Sequence, residues 1–358
     1  MDFQNKKQLI TKIYIKMSEE EDVLLINKNN SNLKNIVILA TGGTIAGTGE
    51  EGKTTNYQAG NLDIQTLIRS VSNLDKIANI YGQQIANVDS NDITINHWLT
   101  LANKINELSK QDDIDGFVIT HGTDTLEETA YFLDLTVKTN KPVVVTGAMR
   151  PSTATSADGP LNLYQSVALA ASDLSIGQGC MVVFSDGIYS GRNVQKVNTF
   201  KTNAFSSIEF GCLGYMRDNI PYFFNKSVKP HTVYSEFDIS KLSKLPQVSI
   251  AYFNIDADPS IIDYFAQRCE GIVIAGAGSG TFSSKWLDEI KELENKGIPV
   301  VRSSRIGSGI ILKDSNVDKY SNCIPSYTLS PQKARILLSL ALTKTKDYSE
   351  IGKIFAEY

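Results

Sequence analysis

From Asn35 onward the chain repeats one pattern: a short apolar run, a loop of small or polar residues, then a stretch of helical period. Residues 36–40, 116–120, 143–146 and 181–184 are apolar without alternation. Strands apolar on both faces, alternating with helices, predict a parallel sheet covered on both sides. A helix is predicted over about 125–137, behind Asp124-Thr125-Leu126-Glu127, which has the form of a capping box. Another is predicted over about 162–171, just after Gly159-Pro160. The alternation stops between residues 219 and 245, where Pro221, Pro230 and the adjacent aromatics Tyr222, Phe223 and Phe224 show no period. That stretch reads as a linker. Beyond it come strands at 248–253, 271–275 and 299–302, and helices after Pro259, over 283–295 ending at Gly297, and from Ser330-Pro331 onward.

The expected architecture is therefore α/β in two domains. A larger N-terminal domain with a mostly parallel sheet covers 35–218, a linker 219–245, and a smaller parallel α/β domain 246–358. Residues 1–34 read as a solvated, poorly ordered tail, rich in Asn and carrying Glu19, Glu20, Glu21 and Asp22. Lys6 and Lys7 precede an apolar stretch, but Thr11, Lys12 and Lys16 interrupt it, so no export signal is expected and the chain is read as cytoplasmic.

Composition narrows the function classes. With 35 basic and 39 acidic residues the net charge is −4, and no basic tract invites nucleic acid or an anionic membrane. The apolar runs fall short of the roughly 18 residues that a membrane span needs. Cys180, Cys212, Cys269 and Cys323 are scattered, as are His97, His121 and His231, so neither a metal site nor a cofactor is expected and the thiols read as buried.

In open parallel sheets ligands bind beyond the carboxyl ends of the strands. Four loops there hold candidate chemistry. Thr41-Gly42-Gly43-Thr44 permits a sharp turn that sets a threonine hydroxyl at the sheet edge, although on this loop alone a glycine turn with a threonine cap is the preferred reading. Thr120-His121-Gly122-Thr123-Asp124-Thr125 gathers hydroxyls and a carboxylate at a helix start, where free N–H groups suit an anion. Asp89-Ser90-Asn91-Asp92 reads as a cap or as a polar binding cluster. Lys196, on the polar loop from Ser190, is ordinarily solvated and joins the chemistry only if folded back toward Asp124. Threonine hydroxyls, a carboxylate and a lysine suit acyl transfer from an amide or ester, because a threonine nucleophile needs an adjacent base or proton relay.

The segments Ile38-Leu39-Ala40-Thr41-Gly42-Gly43-Thr44-Ile45-Ala46-Gly47 and Gly116-Phe117-Val118-Ile119-Thr120-His121-Gly122-Thr123-Asp124-Thr125 resemble the two signature segments of bacterial-type L-asparaginases, closest to the type II branch. Gly147-Ala148-Met149-Arg150-Pro151 and Val301-Arg302-Ser303-Ser304-Arg305 look like further segments of that family. The resemblance implies Thr44 as nucleophile, Tyr57 as its proton partner, and Thr123, Asp124 and Lys196 as a second catalytic group. It implies substrate binding by Gly43, Ser90, Asn91, Thr123, Asp124, Ser279 and Asn316, and a homotetramer with sites shared between subunits. Asn91 stands where that branch usually has glutamine or glutamate, Ser279 where it has asparagine, and Asn316 where a neighbouring subunit supplies a glutamate. A raised KM for asparagine and little glutaminase activity are expected from these departures. Two other functions fit parts of the pattern: the glutaminase subunit of a tRNA-dependent amidotransferase, and a non-catalytic asparagine- or aspartate-binding protein.

Overall fold

The computed structural model describes residues 24–26 and 30–358. Two large sheets, beside two small two-stranded ones, organise the described residues. The larger has nine strands: β1 (Leu24–Leu25), β2 (Lys34–Gly42), β3 (Ala78–Val88), β4 (Gly116–Thr120), β5 (Val143–Thr146), β6 (Cys180–Phe184), β7 (Gly187–Ser190), β8 (Gly214–Arg217) and β9 (Ile220–Phe223). Their spatial order is β1-β3-β2-β4-β5-β6-β7-β8-β9. The pairings from β3 through β6 are parallel, whereas β1 and the β7–β9 meander add antiparallel edges. The predicted strands fall where the apolar runs are, since residues 36–40, 117–119 and 143–145 are almost wholly buried.

Helices α1 (Ile64–Arg69) and α4 (Gly159–Ala170) cover one face of this sheet, and α2 (Ile95–Leu108) and α3 (Leu126–Thr136) the other. The second sheet is all parallel, in the order β10 (Val248–Tyr252), β11 (Gly271–Gly276), β12 (Val300–Ser304) and β13 (Cys323–Pro325). Helices α5 (Ser260–Ala266) and α6 (Lys285–Asn295) pack on one side of it. Helix α7 (Pro331–Ala341) packs on the other side, followed by α8 (Tyr348–Glu357). One apolar cluster runs through α2, α3 and α7 and contains Phe117 and Phe132 from the first domain with Val273, Val301 and Leu337 from the second. The two domains are thus joined by a common core.

Three sequence readings change. The stretch from 219 is not all linker: Ile220–Phe223 pairs antiparallel with Gly214–Arg217, and Pro221 sits on the outermost strand of the sheet. Pro is tolerated there because an edge strand leaves one row of N–H groups unpaired. Aperiodic aromatics hid the hairpin. The tail reading holds too much chain, since Leu24–Leu25 pairs with β3 and the Asn30 N–H donates to Asn79 at 2.7 Å. The rest of it, residues 1–23 and 27–29, lies outside the described residues. Finally, Asp124 and Glu127 do not form a capping box. Thr125 is the N-cap of α3 without a side-chain cap bond, because both carboxylates are engaged elsewhere.

Candidate active site

Strand β2 lies between β3 on one side and β4 on the other. The connection leaving β2 returns as β3, and the one leaving β4 returns as β5 on the opposite side. The carboxyl ends of β2 and β4 therefore flank the point where strand order reverses, the place where such sheets open a crevice. The two threonine loops leave from those two ends.

Three backbones meet there with almost no space between them. Gly42 and Gly43 have φ of 104° and 81°, and a Cβ on Gly42 would lie 2.5 Å from the Val88 carbonyl oxygen. A Cβ on Gly43 would lie 2.3 Å from the Gly122 nitrogen, and one on Gly122 would lie 2.7 Å from the Ser90 Cβ. Both Gly43 backbone groups are bonded within the chain: its N–H donates to Val88 and its carbonyl accepts from Gly60 and Ala46. What Gly43 contributes is close approach of the Thr44 turn to the Thr123 loop, rather than a backbone group for a ligand.

Thr44 begins a single 3-10 turn (Thr44–Ala46) in which Gly43, not a threonine, is the N-cap. It is 6 % exposed, and its Oγ1 lies 2.8 Å from the Tyr57 hydroxyl. Tyr57 belongs to a two-residue strand paired with Thr48–Gly49. That hairpin is fastened across the site, because Gly49 and Gly52 donate to Thr153 and Ser152 donates to Gly47.

Opposite it, Lys196 Nζ donates to Thr123 Oγ1 at 2.8 Å and pairs with Asp124 Oδ1. The lysine does fold back. Asp124 also accepts from the Asn91 side chain at 3.5 Å. The Lys196 hydrogen bond, above all, holds the Asp124 carboxyl below its ordinary range, against a smaller opposing effect of burial. Ser90 is 4 % exposed and lies against Gly122. Its carbonyl accepts from Thr125 Oγ1 at 2.9 Å, and Asp89 caps its turn by accepting from the Asn91 N–H.

His121, fully buried, sits under this loop. The Gly122 carbonyl can only accept, so His121 Nδ1, 2.7 Å away, carries the ring proton and donates to it. Nε2 of the neutral ring then accepts from Thr129 Oγ1 at 2.9 Å, and Thr129 Oγ1 in turn accepts from Trp98 Nε1 at 2.8 Å. Burial pushes the His121 pKa down to about 4, consistent with a neutral ring. In a trans peptide the Thr123 N–H points away from that carbonyl.

Ser279 and Asn316 are exposed and lie on the second domain, where their bonds are also made. The Ser279 carbonyl accepts from Arg302 Nη1 at 2.6 Å, and the Asn316 N–H donates to Asp314. Arg302 and Asp318 form a buried two-point ion pair, both bonds 2.7 Å. Asp318 is therefore committed to Arg302. The structure brings Thr44, Tyr57, Ser90, Asn91, Thr123, Asp124 and Lys196 together on the first domain and leaves Ser279 and Asn316 as a separate group.

Sequence reasoning missed Glu127 and Lys333. Glu127 Oε2 accepts from the Lys196 N–H at 2.5 Å, and its Oε1 from Gln332 at 3.3 Å. Burial raises the pKa of Glu127. A signal for Lys333 existed: a cation in the first turn of a helix opposes the helix dipole and needs a partner elsewhere.

A Thr–Tyr hydroxyl pair and a Thr–Lys–Asp group thus stand at the two strand ends of one sheet switch point, in a chain whose family is one of amidohydrolases. The chain belongs to the asparaginase family: residues 35–229 match the model described as "Asparaginase, N-terminal" and residues 247–355 the "Glutaminase/Asparaginase C-terminal domain". It is 47 % identical over 332 residues to L-asparaginase 2 of Escherichia coli, covering 91 % of this chain and 94 % of that one. It is 44 % identical over 336 residues to a glutaminase-asparaginase of Pseudomonas fluorescens, with 92 % of each covered. A crystal structure described as a "probable cytoplasmic L-asparaginase" from Campylobacter jejuni superposes with a TM-score of 0.88 at 47 % identity, covering 91 % of this chain and 100 % of that one.

Proposed function

We propose that this chain is an L-asparaginase that converts L-asparagine to L-aspartate and ammonia through a threonine acyl-enzyme, with little glutaminase activity. The observation that carries the reading is the 2.8 Å contact between the Thr44 and Tyr57 hydroxyls, which gives a buried threonine the proton partner it needs. Thr44 Oγ1 attacks the side-chain amide carbon while its proton passes to the Tyr57 hydroxyl, which hands its own on toward the leaving amide nitrogen. The amide nitrogen takes up a proton and leaves as ammonia, and water then cleaves the ester to release aspartate and restore the Thr44 hydroxyl. Thr123 exchanges its proton with Lys196, which Asp124 holds in place. The N–H groups around Thr123 stabilise the oxyanion, an effect typically worth about 10²–10³ in rate per donor.

Ser90 receives the substrate α-carboxylate and Asp124 its α-ammonium, with Asn91 fixing the Asp124 carboxylate. Ser279 and Asn316 complete the site of a neighbouring copy in a homotetramer. Supporting this, Ile306, Ile310 and Leu312 are 52 %, 53 % and 56 % exposed close to that group in sequence, apolar surface of the kind that marks an interface. The four thiols are unpaired, which fits a reducing cytoplasm.

Ammonia release from asparagine and from glutamine tests the reading, with wild type beside Thr44→Ala and Thr123→Ala. Each substitution is expected to lower the asparagine rate by roughly a hundredfold or more. If neither does, the mechanism is wrong. A glutamine rate comparable to the asparagine rate would refute the specificity.

A further inference from the structure

The loop that delivers Lys196 is gripped from the other domain. Lys333, in the first turn of α7, is 1 % exposed. Its ammonium donates to the carbonyls of Gly191 at 3.1 Å, Arg192 at 2.7 Å and Val194 at 2.5 Å. Three acceptors use all three N–H groups that an ammonium has. Two residues after Val194 comes Lys196, whose own N–H donates to Glu127 Oε2. The other Glu127 oxygen accepts from Gln332, the residue beside Lys333. The turn is also seated tightly on the first domain, since a Cβ on Gly191 would lie 2.8 Å from the Ala130 carbonyl oxygen.

Stability alone does not explain a lysine here. Burying an ammonium carries a desolvation cost, and its place in the first turn of a helix opposes the helix dipole. A methionine would fill nearly the same volume without either penalty. What a methionine lacks is the power to gather three carbonyls of one turn to a point. Around the ammonium stand Glu127, Glu128 and Asp134 of α3 and Arg192 of the turn, with the Tyr131 ring centre 5.8 Å away.

We infer that Lys333 is a positioning residue for the amidohydrolase site: it shapes the 191–194 turn so that Lys196 reaches Thr123 and Asp124, with Glu127 as the second point of the clamp. The inference rests on the role given to Lys196 above. It makes the second domain part of the catalytic apparatus of its own chain.

The test is a double-mutant cycle on the full-length protein, reading kcat and KM for asparagine and the melting temperature. Lys333→Met is expected to lower kcat on the order of tenfold while KM stays within a factor of about three, because a loosened lysine misplaces chemistry more than binding. Lys196→Met alone is expected to lower kcat by roughly a hundredfold. In that background, adding Lys333→Met is expected to change kcat by less than about twofold, since both act through one group. If Lys196→Met keeps wild-type kcat, the proposed function itself fails. If Lys196→Met is impaired but Lys333→Met keeps kcat, or lowers it equally in both backgrounds, the inference is overturned and the function stands. Should Lys333→Met not fold, Glu127→Gln loosens the same clamp at constant volume and is expected to follow the same pattern, with the same results overturning it.

Discussion

The sharpest test of how the site is built is Gly43→Ala, a change that touches no reacting atom. The added Cβ would lie 2.3 Å from the Gly122 nitrogen and 2.4 Å from its Cα. Ordinary contact begins at 3.4 Å, so the two backbones must part by 3.4 − 2.3, or about 1.1 Å. Neither partner is a flexible side chain that could swing aside. Gly43 also has φ 81° and ψ −174°, a region essentially reserved for glycine, where strain costs of order 1–3 kcal/mol. The separation falls along the line between the Thr44 turn and the Thr123 loop. A misplacement of roughly 1 Å is enough to lower a rate by about 10²-fold. Gly43→Ala is therefore expected to reduce kcat for asparagine by about two orders of magnitude and to lower the melting temperature. Steady-state ammonia release and thermal denaturation on the same preparation read both. A variant keeping kcat within about tenfold of wild type at an unchanged melting temperature would show that the loops do not depend on this contact.

Three other outcomes are expected. Asp318→Asn leaves the buried Arg302 charge without its ion-pair partner; a loss of about 3–5 kcal/mol in unfolding free energy should appear in denaturant titration, and a loss below about 1 kcal/mol would contradict it. Burial raises the Asp134 carboxyl from 3.8 to about 7. A raised carboxyl pKa means stability that is present at low pH and lost as pH rises through about 7. The full swing of 7 − 3.8 units is worth about 4 kcal/mol. Asp134→Asn is thus expected to gain melting temperature relative to wild type between pH 5 and pH 8, and a difference that stays flat over that range would rule this out. Asn316→Glu is expected to lower the KM for asparagine by an amount worth about 1–3 kcal/mol, roughly 5- to 150-fold, as a charge meets the α-ammonium; an unchanged KM would remove Asn316 from the site.

Much of this protein is written in local pattern. The parallel strands were legible because strands buried on both faces must be apolar throughout, as residues 36–39 and 117–119 are. The helix ends at Gly297 and Ser330-Pro331 follow from backbone chemistry that acts within one turn. Thr44 and Thr123 stood out because they follow strand ends, and strand ends are visible in sequence. Chain topology, once the strands are in order, puts those two loops side by side.

Other features depended on contacts across long sequence separations. The hairpin of Gly214–Arg217 and Ile220–Phe223 alternates in burial but not in apolar character, since Tyr215, Ile220 and Tyr222 are among its exposed residues, and it is held in place by pairing with Gly187–Ser190. Asp124 and Glu127 have the spacing of a cap, yet Lys196, about 70 positions later, draws both away: its Nζ takes Asp124 and its N–H takes Glu127. Local spacing fixes what a carboxylate can reach in its own helix, but not which cation the fold brings to it. Lys196 shows the same division. As one lysine on a polar loop it was indistinguishable from a solvated residue, and its place at Thr123 is decided by a turn whose carbonyls are held by Lys333 from the other domain. The sequence determined the sheet, its loops and the threonines. The tertiary structure decided how those threonines are served, because the groups that orient them come from distant segments that meet only in the folded chain.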